Sequence, residues 1–285
     1  MLIYLGYRLV EILAFIFPYP IAYMIGQSGF ALVFKLGISV SLIKKNVSVV
    51  LERHTDDPLV GIISRKVYTN WSKNIVDFLK HRLVSRERLR QRIRLEGAHH
   101  LDRALEKGKG VVIFTCHVGN FEWGACRLAV EGYKIWGVSL VRESSLTNRF
   151  FEERRLSKGL KTLYINRMLH VFRYLGDNEI VAIPSDWDPT GKAARTFDFF
   201  GRQAYLPTGA VQIALKSGAV LLPSFIWREG KYGHHQIIGE PVVLDYTGEK
   251  DEIIEKNMKK VIPVMEEYIR KHLSEWELFH DIWVD

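Results

Sequence analysis

The stretch that most limits the possible folds runs from Val111 through His117 to Cys126 and reads VVIFTCHVGNFEWGAC. Its first six residues are mostly apolar and include β-branched side chains, which predicts a buried strand. The Gly119-Asn120 pair that follows predicts a turn leading into a helix. His117 therefore lies where a strand ends, and in open α/β sheets the ligand crevice is surrounded by the loops at the carboxyl ends of the strands.

A carboxylate follows His117 closely in the chain. Glu122 lies five positions on, in the first turn of the predicted helix, so its carboxylate can fold back onto the imidazole. A carboxylate that holds one ring nitrogen fixes the tautomer and leaves the other nitrogen free to accept a proton. We therefore predict that His117 is a general base and that Glu122 orients it.

Strand and helix patterns alternate with short connections from Val111 to Trp227. This alternation predicts an α/β fold with a mostly parallel central sheet flanked by helices. With 285 residues, 47% of them hydrophobic, the chain is long and apolar enough to bury a large core. Residues 252–272 predict a final amphipathic helix, after which the tail carries Trp276 and Trp283.

The N-terminal 43 residues are the most apolar part of the chain, and the 23 residues between Glu11 and Lys35 carry no charge. That length would cross a bilayer if it were helical, but Pro18 and Pro20 interrupt it. We predict two short apolar helices that meet at residues 17–20 and associate with a membrane surface or one leaflet. A true span, or helices that merely cover the core, are the alternatives. The predicted regions are a membrane-associating part, 1–43, and a domain, 44–285, with a helical cap at 44–92.

Lysine and arginine (40) outnumber aspartate and glutamate (32), which gives a net charge of +8 and favours partners with negative surfaces. The densest basic segment, residues 80–94, is consistent with binding to anionic headgroups or an acidic carrier protein, and equally with a solvated helix face. It lacks interleaved aromatic residues, so nucleic acid is not an expected partner. The two cysteines, Cys116 and Cys126, have no metal-ligand spacing and indicate a reducing, cytosol-facing setting.

A second informative stretch runs from Ile183 to Ala210. Asp186 and Asp188 lie where a predicted strand gives way to a loop, on the same sheet edge as His117 if the strands are parallel. No third acidic ligand lies nearby, so a metal is not expected; substrate orientation and turn capping both remain open. Arg202 is a candidate phosphate ligand because a guanidinium offers paired donors.

Several motifs occur together and in order: Glu96-Gly, KGKGVVIFTCHVGNFE from Lys107, Asp-x-Asp at 186–188, FFGR at 199–202 and PTGA at 207–210. This combination resembles the lipid A biosynthesis lauroyl/myristoyl acyltransferase family, within the wider lysophospholipid and glycerol-phosphate acyltransferase superfamily. The motifs lie between about residues 94 and 223. The apolar N-terminus resembles the membrane anchor of that family in character only.

The resemblance implies an O-acyltransferase that moves a fatty acyl chain from an acyl thioester, carried by acyl-carrier protein or coenzyme A, to a hydroxyl of a lipid A precursor or related lipid. No other cofactor is implied. His117 would deprotonate the hydroxyl and Glu122 would stabilise the imidazolium. Further residues match substrate-binding positions of the family: Gly119, Asn120, Arg142, Asp186, Asp188 and Arg202. Of these, Arg142 is expected to bind a phosphate, and the last three to line the acceptor side.

The implied partners are a lipid acceptor, the acyl thioester and an anionic membrane surface, and the implied location is the cytoplasmic face of the inner membrane, with peripheral or N-terminal attachment. Cys116 is not expected to act as a nucleophile paired with His117, because adjacent strand residues point to opposite faces. The chain also lacks the Gly-x-Ser-x-Gly elbow of serine hydrolases. A non-catalytic basic module that binds membrane surfaces is the alternative function.

Overall fold

The computed structural model of the protein describes residues 2–192 and 194–284, so residues 1, 193 and 285 of the predicted regions lie outside it. The helices are α1 (Leu2–Ile16), α2 (Tyr19–Lys35), α3 (Val40–Leu51), α4 (Pro58–Leu79), α5 (Arg86–Arg92), α6 (Ala98–Leu105), α7 (Phe121–Glu131), α8 (Ser145–Leu156), α9 (Val171–Gly176), α10 (Gly209–Ser217) and α11 (Lys250–Lys271). The strands are β1 (Ile93–Glu96), β2 (Val111–Thr115), β3 (Ile135–Ser139), β4 (Lys161–Tyr164), β5 (Ile180–Pro184), β6 (Ala194–Phe199), β7 (Arg202–Pro207), β8 (Val220–Glu229) and β9 (Gly233–Ile238). Short 3-10 helices occupy His81–Leu83, Ile165–His170 and Leu273–Glu275.

Within the described residues, the main sheet has seven strands in the order β1-β9-β8-β2-β5-β3-β4. β8, β2, β5, β3 and β4 run parallel to one another. β9 is antiparallel to β8, and β1 runs parallel to β9. The predicted α/β fold with a mostly parallel sheet is confirmed. The β6–β7 hairpin is antiparallel and stands apart from this sheet; the predicted alternation of strand and helix does not include it.

The central strand β2 is covered on both faces, which explains its continuous apolar sequence. Val112 and Phe114 point into one hydrophobic cluster, which also takes residues from α10 and α11. Val111 and Ile113 point into the other, beneath Trp123 of α7. Successive side chains alternate between the faces, so the strand is fixed in position and its carboxyl end is a rigid support for the residues that follow.

The N-terminal helices meet where the sequence predicts, since α1 ends at Ile16 and α2 begins at Tyr19. Pro18 occupies the N-cap position of α2 in an extended conformation, which suits a residue that cannot continue a helix. The predicted boundary between residues 43 and 44 falls inside α3, and α2 and α3 both pack against α4. Among the described helices, none taken singly has both the length and the apolar content needed to cross a bilayer. α2 and α3 together meet that test, but the chain bends by 91° between them.

Candidate active site at the carboxyl edge of the sheet

The pairing of β2 with β5 brings the two motif regions together. Thr115 and Pro184 are opposite each other at the ends of these parallel strands, and Ser185 N donates to Thr115 O at 2.8 Å. His117 and Asp186 each lie two residues beyond this pair. The predicted placement of both residues on one sheet edge is therefore correct, although they are 69 residues apart in the chain.

Asp186 holds the His117 imidazole. Nδ1 of the ring lies 2.8 Å from Oδ1 of Asp186, and the backbone N–H of His117 donates to Oδ2 at 2.9 Å. Because an ionised carboxylate only accepts hydrogen bonds, we assign the proton to Nδ1. Nε2 makes no hydrogen bond to a described residue, and 22% of the side chain is exposed. The imidazole is therefore arranged as a base with one free nitrogen.

The carboxylate of Asp186 is fully enclosed. Besides its two bonds with His117, its Oδ2 accepts a hydrogen bond from Nε1 of Trp276 at 2.9 Å. Burial raises the pKa of Asp186, but the interaction with His117 and the hydrogen bond from Trp276 lower it more, so the pKa lies below its usual range. Asp186 is thus an ionised carboxylate whose position is set by three donors.

Burial and the interaction between the two side chains also shift the pKa of His117, each in the direction opposite to its effect on the pKa of Asp186. Burial lowers the pKa of His117, whereas the charge and hydrogen bond of Asp186, and then the charge of Glu122, raise it. The net pKa lies above the usual histidine value. A raised pKa makes the imidazole a stronger base and stabilises the imidazolium that forms when Nε2 takes a proton.

Glu122 does not form the predicted hydrogen bond with the imidazole. Its carboxylate is bound by both ends of the Arg155 guanidinium, with Nε of Arg155 at 2.9 Å from Oε2 and Nη2 bonded to Oε1. The start of α7 explains this direction: the side chain of Asn120 caps the helix by accepting from Trp123 N at 3.1 Å, and the first turn then faces α8. Glu122 acts on His117 through its charge. Asp186 occupies the orienting position that was predicted for Glu122.

Arg155 is a site residue that the sequence did not reveal. It is buried, and burial lowers its pKa while the charge and hydrogen bonds of Glu122 raise it further, leaving a net increase. In the sequence it is one of two adjacent arginines in a charged helix, FEERRL, which is the pattern of a solvated helix face. The helix sequence does not distinguish Arg155, because Glu152 lies three residues earlier on the same side of α8 and the adjacent Arg154 is also buried.

Gly119 and Asn120 line the cavity described below, and both also have structural roles. Gly119 has φ +61°, and a Cβ at this position would lie 2.2 Å from the carbonyl oxygen of Ile226, so only glycine fits. Its N–H donates to Glu275 O at 2.9 Å. The amide of Asn120, besides capping α7, lies 3.4 Å from Oδ2 of Asp77. The backbone amide of Gly119 is therefore not free to bind an oxyanion.

A cavity of about 630 Å³ lies between the N-terminal helices and the site. Its polar wall is formed by Asn74, Asn120, Glu122, Arg142 and Glu277, and its apolar wall by Tyr7, Val10, Phe30, Trp71, Ile75, Phe78, Leu79, Phe121, Phe150 and Phe151. His117 adjoins it through Phe121, whose ring meets the imidazole edge to face at 5.1 Å between centroids. Such a cavity suits a molecule with one polar and one apolar end.

Arg142 brings a positive charge to this cavity. Its guanidinium carbon lies 3.5 Å from the centre of the Phe151 ring, and no carboxylate pairs with it among the described residues. Asn148 fixes its backbone with two hydrogen bonds of 2.9 Å. Burial, followed by the charge of Arg155, lowers the pKa of Arg142. An anion bound here would offset the burial of the Arg142 charge and its repulsion by Arg155. This is consistent with the predicted phosphate contact.

The remaining predicted acceptor contacts lie elsewhere. Asp186 lies beneath the imidazole and not on the cavity wall. Oδ1 of Asp188 accepts from the N–H and the hydroxyl of Thr190, at 2.8 and 2.7 Å, which is the turn-capping alternative. Arg202 is exposed at the turn of the β6–β7 hairpin and does not line the cavity. Of the predicted substrate-binding side chains, the structure brings Asn120 and Arg142 to the cavity.

The C-terminal tail forms the wall that sequence reasoning missed. Trp276 bridges to Val118, Glu277 N donates to His117 O at 2.7 Å, and Gly119 N donates to Glu275 O. These contacts hold the loop after β2 from its outer side. The tail matches no motif. The sequence feature that points to its burial is the presence of large aromatic residues beyond the last helix, such as Trp276 and Trp283.

Neither cysteine is placed for nucleophilic catalysis. Cys116 and Cys126 are buried, and burial raises the pKa of each thiol, which keeps both protonated. Within residues 2–192 and 194–284, no three side chains of the metal-binding types converge. The chemistry available at this edge is therefore that of the His117 base and the charged groups around it.

Comparison with known proteins places this chain in a family. The sequence profile of the bacterial lipid A biosynthesis acyltransferases matches residues 1–284. The chain belongs to this family. The resemblance carried by the sequence motifs is thus confirmed.

Individual relatives are more distant. The phosphatidylinositol mannoside acyltransferase of Mycobacterium tuberculosis (strain ATCC 25618 / H37Rv) is 26% identical over 212 residues, or 72% of this chain and 64% of that protein. The protein of the same name from Mycolicibacterium smegmatis is 29% identical over 150 residues, covering 50% and 48%. The matches thus span less than two thirds of each relative. Among solved structures, the 1-acyl-sn-glycerophosphate acyltransferase PlsC of Thermotoga maritima aligns with a TM-score of 0.39 at 13% identity, over 87% of this chain and 97% of that one.

Proposed function

We propose that this protein is an O-acyltransferase that moves a fatty acyl chain from an acyl thioester to a hydroxyl group of a lipid. The observation that carries the proposal is a single arrangement: the His117 base is held by the buried Asp186 carboxylate and adjoins an amphipathic cavity. Membership of the lipid A acyltransferase family supports the reaction type.

His117 acts first, when Nε2 takes the proton of the acceptor hydroxyl. The oxygen attacks the thioester carbonyl and forms the ester bond, the carbon–sulfur bond breaks, and the proton passes from the imidazolium to the departing sulfur. Asp186 stabilises the imidazolium during this step, in the way that a buried aspartate supports a catalytic histidine in hydrolase triads. Transfer is direct, since neither cysteine is placed to accept the acyl group.

The acceptor is a lipid A precursor or a related glycolipid or phospholipid. Arg142, which faces the cavity over the Phe151 ring, binds a phosphate of the acceptor or the donor, because a guanidinium offers paired donors to phosphate oxygens. The mycobacterial relatives are named phosphatidylinositol mannoside acyltransferases. This name favours a sugar-bearing lipid as the acceptor. The donor is a thioester of acyl-carrier protein or coenzyme A, and no other cofactor takes part.

The protein works on the cytoplasmic face of the inner membrane, to which its N-terminal helices attach. In α1 the usual distribution of side chains is inverted: Glu11 is 1% exposed and paired with Arg154, whereas Leu9 and Ile16 are 60% and 66% exposed. A helix that faces water buries its apolar side, so this arrangement suits an apolar surrounding. Met24 of α2 is likewise 60% exposed.

The basic segment 80–94 contributes less to the membrane than its composition suggests. Lys80 donates to the carbonyls of Ala14 and Phe17, and Arg90 pairs with Glu131 at 2.7 Å. These charges are engaged within the fold, while others in the segment, such as Arg88, remain exposed. The exposed arginines supply an auxiliary attraction to anionic headgroups, and the apolar helices supply the anchor.

A lipid profile by mass spectrometry tests the reaction and identifies the acceptor. Cells producing the intact protein are compared with cells producing His117→Ala at equal level, with His54→Ala, whose side chain is 82% exposed, as the matched histidine control. We expect one lipid class to gain a single acyl chain with the intact protein and with His54→Ala only. Identical profiles in the presence of acyl thioesters and candidate acceptors would favour the non-catalytic basic module instead.

Membrane attachment has its own test in liposome flotation at rising salt. Attachment through the apolar faces of α1 and α2 persists as salt is raised, because screening weakens charge interactions but not apolar burial. Release of the protein from anionic liposomes at high salt would contradict an apolar anchor.

A further inference from the structure

Glu277 places a second carboxyl group at the cavity that adjoins His117. Its backbone N–H donates to the carbonyl oxygen of His117 at 2.7 Å, so it is fixed to the same loop as the base. Its side chain forms part of the polar wall of the cavity, together with Asn74 and Arg142. Neither the sequence motifs nor the reaction described above uses this carboxyl group.

The orientation of Glu277 is determined by a chain of hydrogen bonds. Nδ2 of Asn74 donates to Oε1 of Glu277 at 2.5 Å. The amide of Asn74 cannot turn over, because its Oδ1 accepts from Nη2 of Arg228 at 2.6 Å, and that guanidinium also binds Asp77 at 2.8 Å. Oε2 of Glu277 makes no hydrogen bond to a described residue. It is the atom left for a ligand in the cavity.

The charge state of Glu277 suits a neutral ligand. Burial raises its pKa well above the usual range, and the neighbouring Glu275 carboxyl raises it too, against the lowering effects of the Asn74 hydrogen bond and the charge of Arg228. The raised pKa favours the protonated carboxyl, which can both donate and accept a hydrogen bond. A hydroxyl has the same two capacities, whereas a phosphate only accepts and is better matched by Arg142.

We infer that Glu277 binds a second hydroxyl of the acceptor headgroup, next to the hydroxyl that His117 deprotonates, and so selects lipids whose headgroup carries adjacent hydroxyls. This inference rests on the proposed acyltransferase function, because it takes the cavity to be the acceptor site. On this inference, Glu277 is a residue that determines acceptor specificity. The preferred acceptor is then a sugar-bearing or glycerol-bearing lipid, and a lipid with one isolated hydroxyl is a poor substrate.

Two phospholipids that differ by one hydroxyl test the inference. Phosphatidylglycerol has a phosphate and two adjacent hydroxyls in its headgroup, and phosphatidyl-1,3-propanediol has the phosphate and only one. Binding of each lipid in mixed micelles is measured by tryptophan fluorescence, which requires no turnover, and acyl transfer to each is then measured with palmitoyl-coenzyme A and palmitoyl-acyl-carrier protein. The proteins compared are the full chain, Glu277→Ala, Glu277→Gln, and the control Glu267→Ala, an exposed glutamate on α11 that pairs with Lys271.

The full chain should bind phosphatidylglycerol about tenfold more tightly than the propanediol lipid, since a hydrogen bond of this kind contributes roughly this factor. Glu277→Ala should lose most of that preference, while Glu277→Gln should keep it because an amide also donates and accepts. Glu267→Ala should match the full chain. Thermal unfolding of each variant shows whether the alanine protein is folded, and the glutamine variant gives the answer if it is not.

Three results would overturn the inference: a full chain that binds both lipids equally or binds neither, a Glu277→Ala protein that keeps the preference, or one that loses affinity for both lipids to the same degree. The expected binding pattern without acyl transfer from either thioester would instead leave the role of Glu277 in binding intact and count against the proposed function.

Discussion

His117 separates two sides of the site that differ in their access to ligands. On the buried side, Asp186 has every hydrogen bond within the fold, including that of the Trp276 indole. On the cavity side, Glu122 pairs with Arg155 and lines the cavity. Both sides carry a carboxylate, but only the enclosed one is hydrogen-bonded to the imidazole and so sets its tautomer. The other is paired with Arg155 and acts on the imidazole through its charge.

The largest expected effect comes from the buried side. In Asp186→Asn the amide no longer accepts the Nδ1 proton as a carboxylate does, so the imidazole loses its required tautomer. We expect kcat/KM for acyl transfer to fall by about 10³–10⁴-fold, as in hydrolase triads. Asp56→Asn, whose side chain is 84% exposed, is the control. A loss smaller than that caused by Glu122→Gln would reverse the assignment of the two carboxylates.

On the cavity side, Glu122→Gln should reduce kcat/KM by about 10–100-fold, less than Asp186→Asn because the tautomer is kept. It also leaves the buried Arg155 charge without a partner, which should cost about 3 kcal/mol of stability. The double variant Glu122→Gln, Arg155→Met should recover part of the unfolding free energy. Denaturant unfolding and transfer kinetics separate the two effects, and an unchanged stability in the single variant would contradict the ion pair.

The pH dependence of transfer compares the two sides without removing the base. Asp186 and Glu122 hold the pKa of His117 above its usual value, and the reaction needs the neutral ring, so kcat/KM should fall as the pH drops below this raised pKa. Removing the negative charge in Glu122→Gln lowers the pKa of His117 and should move the acidic limb to lower pH. A limb that stays in place would show that Glu122 does not act through its charge.

The smallest expected change is in Trp276→Phe, which removes one donor to Oδ2 of Asp186 and keeps the aromatic volume. A hydrogen bond to a charged group contributes about 1.5 kcal/mol, so we expect kcat/KM to fall by roughly tenfold. Trp283→Phe is the matched control, because the indole of Trp283 donates to Asn46 at 2.8 Å and not to the site. Equal kinetic losses in both variants would indicate a general loss of packing.

The sequence predicts the strands and turns that position the site better than it predicts which side chains bind each other there. The apolar run of β2, the turn at Gly119 and the alternation of strands with helices are local or periodic patterns, and they correctly place His117 and Asp186 at one edge. The partner of the imidazole is not a local property. Glu122 is near His117 in the chain, but the cap of α7 at Asn120 turns it towards α8. Which carboxylate reaches the ring is decided by tertiary packing.

The missed residues have a similar cause. Arg155 and Glu277 owe their positions to contacts with residues far away in the chain, and neither stands in a motif. Arg202 was predicted from its side-chain chemistry and its match to a family motif, whereas the antiparallel pairing of β6 with β7 places it at an exposed hairpin turn. Chemistry in the sequence shows what a residue can bind, and the topology determines whether it lies near the reaction.

The tail contacts at Trp276 and Glu277 also impose an order of events during synthesis. These residues follow α2 by about 240 positions, so at 5–20 residues per second they leave the ribosome roughly 10–50 s after the N-terminal helices. During this interval His117 still lacks the strand-like segment that holds its loop. The contacts that hold the His117 loop are therefore completed late in synthesis, well after the N-terminal helices have been made.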